Sequence, residues 1–363
     1  MPDGALGDAG RIRLLDSFRA LAALYVVCYH YLYDWMDSLL ADAVNPSLPL
    51  LVSNSIVEHG LMGVDLFFMI SGFVIALTLS RTKSIPEFIV KRFARLFPAM
   101  LVCSVLTFLV VKVLAVEPFS TVEVIDFLPS LTFMPPVLFE KLFGLDTNWI
   151  SVVYWTLFVE VKFYFFAALV YFLLPGKFLI RFSTLAFLLC AAYWITLATG
   201  YQLTNSFLGL IFFPEYAFMF VAGIAFHAIY DSEGQSKVVP IAIILFSLTY
   251  SVLVYSPINP SPSSSTTAML LILVYHLLFL LFVSDARILR FLKSGVLVKI
   301  GTASYALYLL HEAIGLSVIE RLNEDVLASS LWPFAVGAMM VLLSIVFYDR
   351  VETPARRYIR RLI

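Results

Sequence analysis

Residues 61–80 read LMGVDLFFMISGFVIALTLS, an apolar stretch whose one charged residue is Asp65. About 20 consecutive apolar residues form an α-helix long enough to cross a lipid bilayer. The whole chain of 363 residues has the same character, since 61% of it is hydrophobic and 13% is charged. Soluble domains are roughly 45–50% apolar and 25% charged. The composition therefore excludes a soluble globular protein and predicts an all-α membrane bundle.

Comparable apolar stretches recur along the chain, and we predict about ten transmembrane helices. They cover approximately residues 14–34, 61–80, 98–116, 150–174, 182–200, 207–229, 238–256, 268–284, 300–319 and 332–349. The expected organisation is a short cytoplasmic N-terminal segment (1–13), one transmembrane domain (14–352) and a basic cytoplasmic tail (353–363). We expect no separate domain outside the membrane, so the chemistry must lie in or beside the bilayer.

The distribution of charge predicts the orientation. With the N-terminus inside, most of the 24 Lys and Arg residues fall on the cytoplasmic side, as the positive-inside rule requires. An even number of spans then returns the C-terminus to the cytoplasm. The 25 Asp and Glu residues nearly balance the basic ones, which gives no reason to expect nucleic-acid binding. The three cysteines match no metal-ligand or disulfide spacing, and we expect no metal.

Ionisable residues inside spans are costly and are therefore candidates for function. Arg19 and His30 are separated by almost three helical turns, so they share a face about 16 Å apart along the axis. Arg19 is expected near the cytoplasmic boundary and His30 in the outer third of the bilayer. The structural alternative is that Arg19 reaches inner headgroups and His30 bonds a backbone carbonyl.

Glu160 is expected about three turns deep in the fourth span, with Tyr164 at i+4 on the same face. Lys162 at i+2 points elsewhere, so a partner on another helix is expected, and either His30 or His311 fits by depth. The alternative for His311 is a structural histidine whose hydrogen bonds are satisfied within the protein.

Asp65 opens the second span near its outer end. It is either an acid placed at a positive helix end or a group that orients His30. Ser71 and Gly72 lie near the middle of the same span, where close helix packing is the favoured interpretation.

Two arginines lie in the inner loop predicted to precede the third span. Arg92 and Arg95 are one helical turn apart and can grip a phosphate together as bidentate donors, although such charges are commonly only topogenic. With Arg19 they form a cationic inner zone, set against a histidine and carboxylate zone in the outer half. Two zones on opposite sides indicate two different ligands.

Six motifs occur in order along the chain. They are Arg19 followed by His30 after ten residues, GVDLFFMISGF at 63–73, the pair Arg92 and Arg95, WTLFVEVKFY at 155–164, SYALYLLH at 304–311 and ETPARR at 352–357. Together they resemble acyltransferase family 3, a family of integral membrane O-acyltransferases. Val161 departs from the pattern, since many members carry a second acid there.

The resemblance implies transfer of an acyl group, usually acetyl, from cytoplasmic acyl-CoA to a hydroxyl of a carbohydrate or glycolipid at the outer face. It implies a bacterial cytoplasmic membrane and no permanently bound cofactor. Arg19, Arg92 and Arg95 would seat the CoA phosphates.

In that mechanism His30 would act as a general base or carry the acyl group. Glu160 or Asp65 would orient its imidazole. Supporting roles would fall to Tyr164, Trp155, His311 and Ser71.

Two other classes of function compete with this interpretation. Intramembrane His, Asp, Glu and Arg residues also build proton relays, so a proton-coupled or small-molecule transporter is the main alternative. Many transporters show internal repeats and broken helices, neither of which is visible in the sequence. A structural scaffold is the third possibility, and it would not need Arg19, His30 and Glu160 to be ionisable. The sequence does not indicate an oligomeric state.

Overall fold

The computed structural model describes residues 8–34, 55–174, 176–232, 236–258, 262–325 and 331–361, and every regular element in these ranges is helical. Lipid offers no hydrogen bonds, so a membrane chain satisfies its backbone groups internally as helices. The α-helices are α1 (Asp8–Tyr29), α2 (Ser55–Glu58), α3 (Gly63–Leu79), α4 (Ile85–Leu114), α5 (Phe127–Thr132), α6 (Pro136–Phe143), α7 (Trp155–Leu173), α8 (Phe178–Ala198), α9 (Gln202–Ile211), α10 (Ala217–Tyr230), α11 (Val238–Ile258), α12 (Pro262–Val283), α13 (Gly295–Thr302), α14 (Ser304–Asp325), α15 (Trp332–Phe347) and α16 (Thr353–Arg361).

The prediction of a helical membrane bundle is confirmed. Among the described residues, six helices are long and apolar enough to cross a membrane, and seven if the bent pair α13 and α14 counts as one span. The six are Gly60–Leu79, Ile85–Leu114, Val152–Leu173, Phe178–Ala198, Thr266–Val283 and Trp332–Ile359. Two shorter apolar helices are Ala217–Tyr230 and Val238–Val254. Every predicted stretch coincides with at least one helix, while ten spans and cytoplasmic termini stay predictions.

The predicted stretch 207–229 is not one continuous helix. Helix α9 ends at Ile211 and α10 begins at Ala217, with Pro214 between them. Proline has no backbone N–H to continue the ladder, and the last carbonyl groups of a helix need other partners. Lys162 supplies them, because its Nζ donates to the carbonyl oxygens of Gly209 (3.2 Å) and Phe212 (2.6 Å).

Two helices end in π-helical turns. Helix α1 continues through His30–Asp34, and α15 continues through Tyr348–Glu352. A π-turn widens the helix by one residue and is frequent at functional sites. One of these turns begins with the histidine that the sequence analysis placed at the centre of the chemistry.

The described chain divides into two compact units, each built from several segments. We name them by their central acid or base. The glutamate unit comprises Met1–Phe18, Val64–Ile89 and Val159–Lys293, and the histidine unit comprises Arg19–Gly63, Val90–Phe158 and Ser294–Ile363.

The glutamate unit is organised around α10, which is buried from Ala217 to His227. It packs on α3 through two glycines. A Cβ at Gly72 would lie 2.1 Å from the Phe220 carbonyl oxygen, and a Cβ at Gly223 would lie 2.1 Å from that of Met69. Neither position tolerates a side chain. Such small residues let membrane helices approach closely, as the sequence analysis favoured for the Ser71 and Gly72 pair.

The histidine unit includes the long connection between α4 and α7. Its shape is set by Asp126, which is buried. The two carboxylate oxygens of Asp126 accept from the backbone N–H of Asn148 (2.7 Å) and of Glu123 (2.8 Å). One acid therefore joins two segments of this connection that are distant in sequence.

Candidate functional site

His30 is the first residue of the π-turn and is buried, with 8% of its surface exposed. Its Nδ1 donates to Asp34 Oδ2 across 3.1 Å, one turn further along. A carboxylate can only accept, so Nδ1 carries the hydrogen and the neutral ring keeps its lone pair on Nε2. That Nε2 is buried and has no hydrogen-bond partner among the described residues. His30 thus presents a free basic nitrogen with its other nitrogen fixed.

His311 lies on α14 and is completely buried. Its Nδ1 donates to the carbonyl oxygens of Tyr308 (2.9 Å) and Leu307 (3.2 Å) in the preceding turn. The same reasoning places its lone pair on Nε2, which is also buried and unpartnered within the described ranges. The two imidazole rings are neighbours, with centroids 5.2 Å apart and planes inclined by 56°. His311 and His30, on different helices, are therefore brought together.

Tyr31 holds the two histidines in place. It follows His30 in the chain, is buried, and donates its hydroxyl to the carbonyl oxygen of His311 across 2.6 Å. Gly315 makes room for that hydroxyl, since a Cβ there would lie 1.7 Å from it. The tyrosine therefore links the π-turn directly to the helix that carries the second histidine.

Glu312 is a buried acid next to His311, and its Oε2 accepts from Ser151 Oγ across 2.6 Å. Tyr308 adds a further link, because its hydroxyl donates to the carbonyl oxygen of Val153 across 3.3 Å. Both contacts fix α14 against the segment that precedes α7.

Glu160 belongs to the glutamate unit. Its Oε1 accepts from two hydroxyls, Ser71 Oγ across 2.8 Å and Tyr164 across 2.5 Å. Two of the predicted supporting residues thus gather on the predicted acid. Tyr164 also packs on Phe88, with ring centroids 6.2 Å apart.

The three arginines expected to bind the donor, Arg19, Arg92 and Arg95, all lie in the histidine unit and are half-buried. Arg92 and Arg95 are on the first half of α4, so the segment predicted as a loop is helical and keeps them one turn apart. Glu352, at the end of the second π-turn, is buried and interacts electrostatically with Arg95. Arg356 Nη2 lies 3.4 Å from the same carboxylate.

The remaining two candidates lie in different units. Trp155 begins α7 in the histidine unit and is half-buried, whereas Asp65 is buried in the first turn of α3 in the glutamate unit. The predicted orientation of His30 by Glu160 or Asp65 would join residues of separate units and stays a prediction. Within its own unit, His30 has Asp34 as its carboxylate.

Asp34 is the residue that sequence reasoning missed. Its signal was available, because i and i+4 residues face each other on a helix, and the chain reads HYLYD from His30 to Asp34. The sequence analysis instead expected the orienting acid, Glu160 or Asp65, on another helix. Across the part of the chain that the structure describes, no group of three or more His, Cys, Asp or Glu side chains is arranged to hold a metal ion.

A family model described as an acyltransferase domain matches residues 12–349. This match spans most of the chain. The apolar helices and the family match together define an integral multi-pass membrane protein. The chain belongs to acyltransferase family 3, as the motifs indicated. No curated protein and no solved structure matches it.

Proposed function

We propose that this membrane acyltransferase moves an acetyl group from cytoplasmic acyl-CoA to a hydroxyl of a carbohydrate or glycolipid at the outer face of a bacterial cytoplasmic membrane. The observation that carries the proposal is the free Nε2 of His30, buried and without a hydrogen-bond partner among the described residues, while Nδ1 is held by Asp34. The family match is to an acyltransferase, so the transporter alternative has no support.

The chemistry requires a base, because a sugar hydroxyl is a poor nucleophile near neutral pH. His30 Nε2 removes the hydroxyl proton while the oxygen attacks the thioester carbonyl carbon. The tetrahedral intermediate then collapses, the carbon–sulfur bond breaks, and the imidazolium returns the proton to the departing thiolate. Asp34 keeps the ring in the correct tautomer and stabilises the imidazolium between these two steps.

The donor would enter from the side of the arginines. Coenzyme A carries several phosphate groups, and arginine binds phosphate with paired N–H donors. Arg19 precedes His30 by three turns on one helix, a distance of about 16 Å that an extended pantetheine arm can follow. Arg92 and Arg95 would complete the seat for the nucleotide end.

The direct test is purified protein in lipid nanodiscs, incubated with acetyl-CoA and extracted cell-surface glycan, followed by mass analysis of the glycan. We expect a mass increase of one acetyl group per modified hydroxyl and release of free CoA. Glycans from cells with and without the gene identify the acceptor independently. Release of CoA without any acetylated product would contradict transfer to a glycan.

The donor seat has its own test, which compares acetyl-CoA with S-acetylpantetheine, a thioester without nucleotide phosphates. We expect Arg92→Gln to raise KM for acetyl-CoA about tenfold or more and to leave turnover of S-acetylpantetheine unchanged. The variant Lys91→Gln, which changes the neighbouring charge, is the control. Equal losses with both donors would assign Arg92 to folding or topology.

Incubation of the wild-type protein with acetyl-CoA alone separates two chemical routes. If His30 carries the acyl group covalently, protein incubated with acetyl-CoA alone gains one acetyl group on a peptide containing His30. If His30 is a general base, that peptide stays unmodified both with and without acceptor.

A further inference from the structure

We propose that His30 and His311 together form a receptor for two hydroxyls on adjacent carbon atoms of the acceptor, so that the substrate class is a vicinal diol of a sugar ring. The inference rests on the proposed function and deepens it. His30 would take the hydroxyl that reacts, and His311 would accept a hydrogen bond from its neighbour.

His30 and His311 each offer one hydrogen-bond acceptor. In each ring Nδ1 donates to a fixed acceptor, the Asp34 carboxylate or backbone carbonyl oxygens, so each neutral ring offers a lone pair on Nε2. Two acceptors cannot satisfy each other. Both Nε2 atoms are buried, and neither has a partner among the described residues. A buried polar atom without a partner is costly and is normally explained by a ligand or water.

The closeness of the His30 and His311 rings sets them apart from another buried histidine. His276 in the glutamate unit is also buried, with Nδ1 on the Ile272 carbonyl oxygen and an unpartnered Nε2 in the described structure. One such atom therefore does not define a site. What distinguishes His30 and His311 is that their rings lie 5.2 Å apart, so their two unmet acceptors call for two hydrogens from one small region.

Hydrogen bonds hold the His30 and His311 rings in position. Tyr31 bonds the His311 carbonyl oxygen and follows His30 directly, which fixes the relative position of the two rings. Glu312 Oε2 accepts from Ser151, so at least that oxygen already has a donor of its own. Adjacent hydroxyls of a pyranose ring are two donors held at a fixed short separation, the kind of group that can donate to two fixed neighbouring acceptors.

The experiment uses full-length protein in nanodiscs with acetyl-CoA and methyl glucopyranoside, methyl galactopyranoside and methyl mannopyranoside as acceptors. For each acetylated product, the modified position is located by fragmentation mass spectrometry. The deoxy analogue that lacks the hydroxyl next to that position is then compared with its parent. The measured quantity is the ratio of the two kcat/KM values.

We expect the wild-type enzyme to prefer the parent glycoside by about 10- to 100-fold, the loss expected when a buried acceptor is left unpaired. In His311→Leu the ratio should fall to about one, because no acceptor remains to be satisfied. His311→Gln keeps an acceptor oxygen and should retain part of the preference. The matched control is His276→Leu, which should keep the full wild-type ratio. A ratio taken on one preparation is insensitive to its folded fraction.

Equal rates for parent and deoxy acceptors in the wild type would overturn the diol receptor and leave acyl transfer intact. An unchanged ratio in His311→Leu would do the same. Preferred acetylation of the nitrogen of methyl 2-amino-2-deoxyglucopyranoside, lost in His311→Leu, would replace the diol with a single amine that donates both hydrogens. No acetylation of any glycoside by an enzyme that does acetylate extracted glycan would also overturn it. If the enzyme acetylates neither the glycosides nor the extracted glycan, the proposed function itself is refuted.

Discussion

The histidine unit holds two buried histidines and the glutamate unit holds the half-buried Glu160, and the hydrogen bonding of these groups differs. His30 and His311 have Nε2 atoms without hydrogen-bond partners among the described residues, whereas Glu160 Oε1 already holds the hydroxyls of Ser71 and Tyr164. A group that its own chain satisfies is held in place, and a group left unsatisfied is available to a substrate. Under the proposed function, His30 therefore moves the proton, His311 accepts a hydrogen bond and Glu160 is a positioning residue.

The largest expected effect is that of His30→Ala. Loss of a general base lowers the rate by about 10²- to 10⁴-fold, and loss of a covalent carrier would abolish transfer. Acetyl transfer to extracted glycan by protein in nanodiscs measures it, with gel filtration to confirm folding. His276→Ala, which removes a buried histidine from the glutamate unit, is the control and should keep its activity. Full activity in His30→Ala would remove His30 from the mechanism and break the comparison.

The second effect tests whether the two histidines must be held together. Gly315→Ala would push a methyl group against the Tyr31 hydroxyl, at 1.7 Å, and displace it from the His311 carbonyl oxygen. We expect about 1–3 kcal/mol of lost stability, the usual cost of overpacking, and a tenfold or greater loss of activity. Thermal unfolding in detergent and the transfer assay measure the two effects.

Gly337 supplies the matched control for that substitution. A Cβ at Gly337 meets the same tyrosine ring at 3.9 Å, which is ordinary contact. Gly337→Ala is therefore expected to be neutral or slightly stabilising, because alanine favours helix over glycine. If both variants behave alike, the close approach of Tyr31 to Gly315 does not position the histidines.

The third effect addresses the glutamate unit. Glu160→Ala leaves the hydroxyls of Ser71 and Tyr164 without their acceptor, at a cost of about 1–3 kcal/mol, whereas Glu160→Gln keeps an oxygen that accepts from both. We expect the glutamine variant to retain most stability and activity. Loss of activity in Glu160→Gln equal to that in Glu160→Ala would show that the negative charge itself is required, and would revive its predicted role in orienting His30.

The sequence predicts the class of fold and its helices well, for a physical reason. The length and hydropathy of a span such as 61–80 follow directly from bilayer thickness, so a single sequence suffices. The break at Pro214 and the bend between α13 and α14 are harder to predict. Such interruptions depend on partners in other helices, and at Pro214 Lys162 donates to a backbone carbonyl oxygen that the helix leaves unpaired.

The sequence singles out His30 and His311 as candidates, but it does not give their contacts. Depth along a helix placed His30 and His311 at similar levels, and the structure pairs their rings. Depth does not say which way a side chain turns. The contact of Asp34 with His30 Nδ1 agrees with the i, i+4 spacing, but the π-turn in which both residues lie has no signal in the sequence.

The smallest expected effect belongs to Asp34. Its side chain is 48% exposed, so solvent screens its interaction with His30, and such pairs contribute on the order of 1 kcal/mol or less. Asp34→Ala should therefore lower kcat about two- to tenfold, far less than His30→Ala. KM for acetyl-CoA should not change, since the carboxylate acts on the imidazole and not on the donor.

Asp34→Asn refines this prediction, because its side-chain oxygen still accepts from Nδ1 but carries no charge. If Asp34 serves mainly to fix the tautomer, the asparagine variant stays close to wild type. If Asp34 mainly stabilises the imidazolium through its charge, Asp34→Asn falls to the kcat of Asp34→Ala. An unchanged kcat in both variants would show that Asp34 does not orient His30, and the acids of the glutamate unit would be the next to test.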